Sequence, residues 1–298
     1  MSARVLIVSP VRNEAAHIER TVRAVAAQTR PPDLWIVADD GSDDGTLEIL
    51  RRLEGEVPFM RVLSAPQGGR GSGDRLAAAL EAIAFNWALS QAPALGWTHI
   101  GKLDGDIELP PGYFADLLAE LDADPRLGIV GGGLVEPFGG GWRRLRIPSY
   151  HVHGAVKLYT AECFEAVGGM QERLGWDTID ETYARMHGFR TCSLAHVVAR
   201  HHRPSASAQG RLRGFARWGQ CAYISRYPLD WVSLRALKVA TMSPVGLAGV
   251  AFLYGYLRAA LGSMPKVEDE EFRRFVHREL RARMVRPLGL RRRQVASA

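Results

Sequence analysis

Three groups of acidic residues in this chain have the types and spacings to do chemistry. Asp104 and Asp106 flank one glycine at the end of the apolar run His99-Ile-Gly-Lys-Leu103. Two carboxylates on such a turn can converge on one hard divalent cation while the glycine lets backbone approach a phosphate. An Asp-Gly turn with no ligand is the plain alternative. Asp39 and Asp40 follow a second apolar run, Leu34-Trp-Ile-Val-Ala38, where a carboxylate can accept hydrogen bonds from a ribose or base. Asp43, Asp44 and Thr46 are suited to capping the next helix, a task that needs neither Asp39 nor Asp40. Asp177, Asp180 and Glu181 stand at i, i+3 and i+4 and share one helix face. Crowding raises a carboxylate's pKa and suits a general base. Acidic residues placed near a helix N-terminus by its dipole are the competing account.

Two further features bear on phosphate. His201 and His202 could add a nitrogen ligand to a metal or touch a phosphate, although for either one taken singly a solvated basic loop is the stronger reading. Gly68-Gly-Arg-Gly-Ser-Gly73 lacks the Lys-Ser/Thr ending of a P-loop, and no GxGxxG follows the first strand. That pattern disfavours P-loop nucleotidases and dehydrogenases. Phosphate charge then falls to a metal ion and to Arg70.

These residues need elements to hold them. Alternating apolar runs predict strands over 5–9, 34–38, 60–63, 99–103, 127–131 and 154–159. Between them, helices are predicted over about 15–28, 47–53, 74–89, 112–122, 161–166 and 175–188. Strands alternating with amphipathic helices imply a mostly parallel sheet covered on both faces, with ligands at the carboxyl ends of its strands. Both aspartate clusters fall at such ends. Gly131–Gly133 and Gly139–Gly141 bracket a segment expected to be mobile. Beyond residue 210 the sequence is helical, so a domain over 1–210 and a helical, basic extension over 211–298 are expected.

Composition narrows the classes. The chain has 298 residues, 47% hydrophobic and 23% charged, which excludes disordered, collagenous and disulfide-stapled proteins. Its three cysteines, Cys163, Cys192 and Cys221, form no CxxC pair, so a reducing cytoplasm is expected. The first residues read as a buried strand rather than a signal peptide. Charge is divided unevenly. Residues 211–298 hold 17 Lys and Arg against 6 Asp and Glu, a net +11, whereas the whole chain carries +6 and its first 210 residues −5. An acidic front suits a metal and is a poor surface for nucleic acid, so no nucleic-acid partner is expected. Residues 239–257 carry no charge but are interrupted by Pro244 and glycines, which suits an interfacial or re-entrant helix pair, or a core helix packed on the 1–210 domain, better than a membrane span. The arginines at 273, 274, 278, 281, 283, 286 and 291–293 suit the anionic inner face of a plasma membrane.

Taken together, Pro10-Val-Arg-Asn-Glu14, Val37-Ala-Asp-Asp-Gly-Ser-Asp-Asp-Gly-Thr46, Asp104-Gly-Asp106 and Gly175-Trp-Asp-Thr-Ile-Asp-Glu181 resemble the inverting family-2 glycosyltransferases of the GT-A fold. The resemblance covers roughly residues 4–210 and points toward bacterial members of cell-surface polysaccharide synthesis. It implies a nucleotide-sugar donor bound by Pro10, Arg12, Glu14, Asp40, Arg70 and Asp104. It also implies Mg²⁺ or Mn²⁺ held by Asp104 and Asp106, with His201 or His202 assisting, and a saccharide or lipid-linked acceptor. The family's catalytic base is the aspartate of a Glu-Asp pair, which falls at Asp177. Trp176 takes the usual Glu position, so Asp177 and Asp180 both stand as candidates, Asp177 first, with Glu181 beside them. A nucleotidyltransferase shares strand-end aspartates but wants a basic glycine loop after the first strand. A non-catalytic carbohydrate or nucleic-acid binder would instead use the basic tail.

Overall fold

The computed structural model describes residues 3–66, 79–203 and 210–285. Arg70 with its glycine loop, Arg286 and Arg291–Arg293 lie outside the described residues. The chain divides into two compact units, Met1–Ala208 and Gln209–Ala298.

The first unit runs β1 (Val5–Val11), α1 (Ile18–Ala26), β2 (Leu34–Asp39), α2 (Thr46–Glu54), β3 (Met60–Ser64), α3 (Leu80–Ser90), β4 (His99–Leu103), β5 (Ile107–Glu108) and α4 (Tyr113–Ala123). It continues with β6 (Leu127–Phe138), β7 (Gly141–Arg144), β8 (Val156–Thr160), α5 (Ala161–Ala166), α6 (Trp176–Met186) and β9 (Arg190–His201). One sheet joins the strands in the order β3-β2-β1-β4-β8-β6-β9-β5, with β7 on β6. Pairing is parallel from β3 through β4 and between β6 and β9. It is antiparallel where β8 is inserted between β4 and β6. The sheet is therefore mixed in its pairing, yet β1, β2, β3, β4, β6 and β9 all run the same way. Their carboxyl ends meet along one edge.

Side chains alternate across this sheet as a two-residue period requires. Val5, Ile7, Trp35 and Val37 pack with α1, α2 and α4, whereas Leu6, Val8, Ile36 and Ala38 pack with α3, α5 and α6. Helix α1 presents Ile18, Val22 and Val25 to the core. It starts three residues later than its apolar spacing predicts. The Glu14 carbonyl accepts hydrogen bonds from both His17 and Ile18 N–H (2.8 Å each), and Asn13 adopts a left-handed φ of 56°, so residues 13–17 form a turn.

Two expectations are corrected here. Gly131–Gly133 do not bracket a mobile segment; they lie buried within β6, which continues to Phe138 and turns through Gly139 and Gly140 into β7. Small residues are required there because a Cβ on Gly132 would lie 2.7 Å from the Tyr113 ring and 2.7 Å from the Val197 carbonyl oxygen. Ala199–His201 is strand rather than loop, the end of the 12-residue β9 that periodicity does not reveal.

The second unit holds α7 (Arg211–Ile224), α8 (Leu229–Ala240), α9 (Leu247–Leu261) and α10 (Glu270–Val285). Ala222, Val232, Ala236, Val239, Ala248 and Phe252 form its core. The uncharged stretch 239–257 is thus no single element: it ends α8, turns, and opens α9. No described helix is long and apolar enough to cross a membrane.

Candidate active site

The common edge of carboxyl ends collects most of the sequence-predicted residues. Pro10 lies in β1 opposite Ala38 of β2. Just beyond β1, the loop over 12–15 is tied to the loop after β2. Arg12 Nη1 donates to the Asp40 carbonyl (2.8 Å), Asn13 N–H to Ser42 Oγ (3.0 Å), Glu14 N–H to Thr46 Oγ1 (2.8 Å) and Ala15 N–H to Asp44 Oδ2 (3.0 Å). Asn13 Nδ2 donates to Asp43 Oδ1 (2.8 Å) and Thr46 N–H to Asp44 Oδ1 (3.1 Å), so the expected capping of α2 falls to Asp44 and not to Asp43. Asp43 and Asp44 fasten the two strand-end loops together, and Gly45 occupies the N-cap position.

Asp39 and Asp40 are both buried. Asp39 Oδ2 accepts from Gly41 and Ser42 N–H (3.1 Å each), and its Oδ1 is buried with no hydrogen-bond partner. A buried acceptor left open in this way costs about 1–3 kcal/mol. It fits an acceptor awaiting a ligand's N–H or O–H.

Asp104 and Asp106 follow β4. The glycine between them is crowded: a Cβ on Gly105 would sit 2.9 Å from Val11 Cγ1 and 3.0 Å from Glu14 Cγ. The missing side chain therefore presses the aspartate turn against the β1 loop. Asp106 is buried, 3.3 Å from His201 Nε2 and 3.2 Å from Arg203 Nε. Burial alone would raise its pKa, but these two cations bring it below the ordinary value. Glu14 shares the same charge. Its pKa is pushed up to about 8, first by burial and then by Asp106, against the pull of Arg203. The Arg203 guanidinium bridges Glu14 Oε1 and Asp106 Oδ2, while Glu14 Oε2 is buried and unpartnered.

His201 stands between two carboxylates, with Nδ1 3.3 Å from Glu136 Oε1 and Nε2 3.3 Å from Asp106 Oδ2. Burial opposes its protonation, yet these neighbours raise its pKa to about 10. These two neighbours favour its charged form and place it as a counter-charge to Asp106. His202 is turned to other partners. Its Nε2 is 2.7 Å from Glu108 Oε2 and its Nδ1 3.1 Å from Arg20.

Asp104 belongs to a second cluster. Lys102 Nζ, on a side chain 1% exposed, contacts both Asp104 Oδ1 and Glu81 Oε1. Burial works against the ammonium, but the two carboxylates hold its pKa above the ordinary lysine range. Trp176 lies beside it, with Lys102 Nζ 5.3 Å and Lys157 Nζ 5.5 Å from the indole.

Helix α6 brings the third acidic group. Lys157 of β8 is fully buried and lies 2.9 Å from both oxygens of Asp180 and 3.3 Å from Glu181 Oε1. It also donates to the Asp177 carbonyl. Tyr159 O–H donates to Asp180. Glu181 accepts from Val152 N–H (2.7 Å) and stands 3.1 Å from His151 Nδ1. Burial would raise the Glu181 pKa, but Lys157 and His151 hold it down at about 2. The like charges expected to repel along α6 are thus gathered on one buried ammonium. Asp180 and Glu181 are buried and bonded into that network, whereas the Asp177 side chain is half-buried and acts on it through its charge. The charges of Asp104 and Asp177 both act on Glu81, and those of Asp177 and His201 both act on His153. The aspartate turn and the helix start therefore share one electrostatic neighbourhood.

Sequence reasoning missed Glu81, Lys102, Glu136, His151, Lys157 and Arg203. A signal existed for the lysines: each is a lone charge inside an apolar strand run, Ile100-Gly-Lys-Leu103 and Val156-Lys-Leu-Tyr159. Glu136 had none, because β6 was expected to stop five residues earlier.

The donor set suits a hard cation. Among the described residues no three His, Cys, Asp or Glu side chains form a ready-made metal cage. Mg²⁺-type ions in phosphate sites need only one or two protein carboxylates and complete their shell with phosphate and water. Asp104 and Asp106, on one turn and with their charge balanced by Lys102, His201 and Arg203, meet that requirement.

Several known proteins are similar to this chain. The chain is 34% identical over 126 residues to a chondroitin synthase of Pasteurella multocida, covering 42% of this chain and 12% of that protein. It is 28% identical over 186 residues to the succinoglycan biosynthesis protein ExoA of Rhizobium meliloti, covering 56% of this chain and 53% of that one. The chain therefore spans about half or less of these relatives. Among solved structures, the fold matches a mannosyltransferase from Pyrobaculum calidifontis in complex with GDP-Man and Mn²⁺, with TM-score 0.56, 19% identity and coverage of 95% of this chain and 85% of that one. It also matches S. aureus TarS 1–349 in complex with UDP-GlcNAc, with TM-score 0.53, 15% identity and coverage of 94% and 83%. At such identities these two matches speak for the GT-A fold alone. The family model for glycosyl transferase family 2 matches residues 6–173, more than half the chain, and the protein belongs to that family.

Proposed function

We propose that the protein transfers a sugar from a nucleotide-sugar donor to a saccharide acceptor, with inversion, in the synthesis of a cell-surface polysaccharide. The observation that carries this reading is the closeness of the aspartate turn to the start of α6: Asp104 N–H donates to the Ala155 carbonyl (3.0 Å), and a Cβ on the neighbouring Gly154 would lie 3.2 Å from Asp177 Cβ. The ExoA relationship supports the polysaccharide class, and the GDP-Man and UDP-GlcNAc complexes support a nucleotide-sugar donor.

In this reading Pro10, Arg12 and Asp40 form the wall on which the nucleoside lies, and the open Oδ1 of Asp39 accepts a hydrogen bond from it. Asp104 and Asp106 hold Mg²⁺ or Mn²⁺, which when bound offsets the charge that develops on the departing diphosphate. His201 and Arg203 keep Asp106 ionised for that task and add positive charge beside the phosphates. Arg70 is proposed as a further phosphate contact.

Asp177 acts as the base. It accepts the proton of the acceptor hydroxyl as that oxygen forms its bond to the sugar's C1, and the bond from C1 to the diphosphate oxygen breaks on the opposite face. Asp180 and Glu181 position Asp177 through Lys157 and take no proton. Positioned bases contribute about 10²–10⁴-fold, so Asp177→Asn should slow transfer by that factor while leaving donor affinity within about twofold. Initial rates and donor titration measure the two quantities. A wild-type rate in Asp177→Asn would overturn the assignment of the base.

A further inference from the structure

Helix α9 is apolar on the side that should be wet. Its inner residues Ala248, Gly249, Phe252, Gly255 and Ala259 are buried. Its outer stripe is Leu247, Val250, Leu253, Tyr254, Leu257 and Leu261, between 41% and 87% exposed. Helix α8 repeats the pattern with Leu234 and Leu237 at 53% and 68%, and the turn between them exposes Val245 at 75%. Scattered apolar residues are normal on a surface, but stripes of this size mark an interaction site.

The charges around the stripes select the partner. From Leu229 to Leu261 the charged residues are Asp230, Arg235, Lys238 and Arg258. Asp230 is neutralised by Arg281 (2.9 Å), so the balance over these helices is positive. Trp218 of α7 is 45% exposed beside Arg235. Leucine and valine with aromatic side chains, edged by cations and lacking a free acid, is the composition of a helix lying in a lipid headgroup layer. A second copy is a poor occupant, because it would set two units of net charge +11 against each other. Helix α9 has 15 residues, a length of about 22 Å, too short for a hydrocarbon core of about 30 Å.

We propose that α8 and α9 form a docking face for an anionic lipid bilayer, lying on it rather than crossing it. The expected contact differs from one made by the arginines of α10 alone, since Arg273, Arg281 and Arg283 are paired with Glu270, Asp230 and Glu279. The test is flotation of the full chain with vesicles of phosphatidylcholine, with and without 30% phosphatidylglycerol. The full chain should float with the anionic vesicles, and Val250→Asp with Leu257→Asp should reduce the bound fraction at least about tenfold. Lys238→Glu with Arg258→Glu, which leaves every apolar contact in place, should reduce it by a similar factor on anionic vesicles only. Circular dichroism verifies that both variants stay folded. Failure of the full chain to float with the anionic vesicles, or flotation of either variant equal to that of the unsubstituted chain, overturns the proposal. So does a concentration-dependent dimer in light scattering that the Val250 and Leu257 substitutions dissolve.

Discussion

Lys157 decides how the acidic start of α6 works. Two carboxylates, a peptide carbonyl and an indole surround one ammonium that water does not reach. Removing one partner of such a cluster strands the others without a counter-charge, at a typical cost of 3–5 kcal/mol. Lys157→Met should therefore destabilise the protein by about that amount, measured by urea unfolding, although methionine nearly matches lysine in volume. A loss below about 1 kcal/mol would mean the cluster relaxes by protonation. The sequence made the three acids legible as a group, because their spacing alone places them on one face. Their spacing could not rank them, and only the family resemblance put Asp177 first. The ranking depends on which side chains Lys157 reaches from β8, 20 or more residues earlier in the chain, and spacing within α6 carries no trace of that strand. His201 and His202 teach the same lesson. Adjacent in sequence, they end up with different partners because successive residues at a strand's end diverge.

At the scale of elements, the site is made by loops that regular structure forces together. The β1 and β2 ends are stitched by Arg12, Asn13, Glu14 and Ala15 to residues 40–46, and Gly105 lets the β4 turn press onto the result. Gly105→Ala would push a methyl group to within 2.9 Å of Val11 and 3.0 Å of Glu14. Overpacking of this kind costs about 1–3 kcal/mol. The expected outcome is that stability loss together with donor binding weakened about tenfold, read by urea unfolding and by nucleotide titration. Unchanged binding would mean the loop yields without moving Glu14 or Asp106. The βα alternation of residues 5–123 was legible because buried parallel strands and amphipathic helices leave clean periods. The β6–β7 hairpin and β9 were not. Their glycines and alternating polar residues resemble loop chemistry, and their strand character comes from pairing with β8 and with each other.

For the whole molecule, folding and ligand binding are linked through the first unit. Among the described residues, Lys102, His201 and Arg203 offset the acidic side chains of Glu14, Asp104 and Asp106. A nucleoside diphosphate with Mn²⁺ at about 100 times its Kd should stabilise the protein by about 2.7 kcal/mol. In a thermal-shift series, that gain should vanish in the Asp104→Ala, Asp106→Ala double variant. An equal shift in the double variant would separate nucleotide binding from the aspartate turn. The division of charge between the two units was plain in the sequence, whereas the exposure of α8 and α9 was not, since hydropathy does not distinguish an apolar face turned inward from one turned outward. Trp176, which takes the place of an acid in the family pattern, carries one more consequence. An excited indole is strongly polarised, and this one has two ammonium groups within 5.5 Å of its ring. Any event that draws Lys102 off Asp104 must change the field across that ring, so the colour of its emitted light is a built-in gauge of the site's charge.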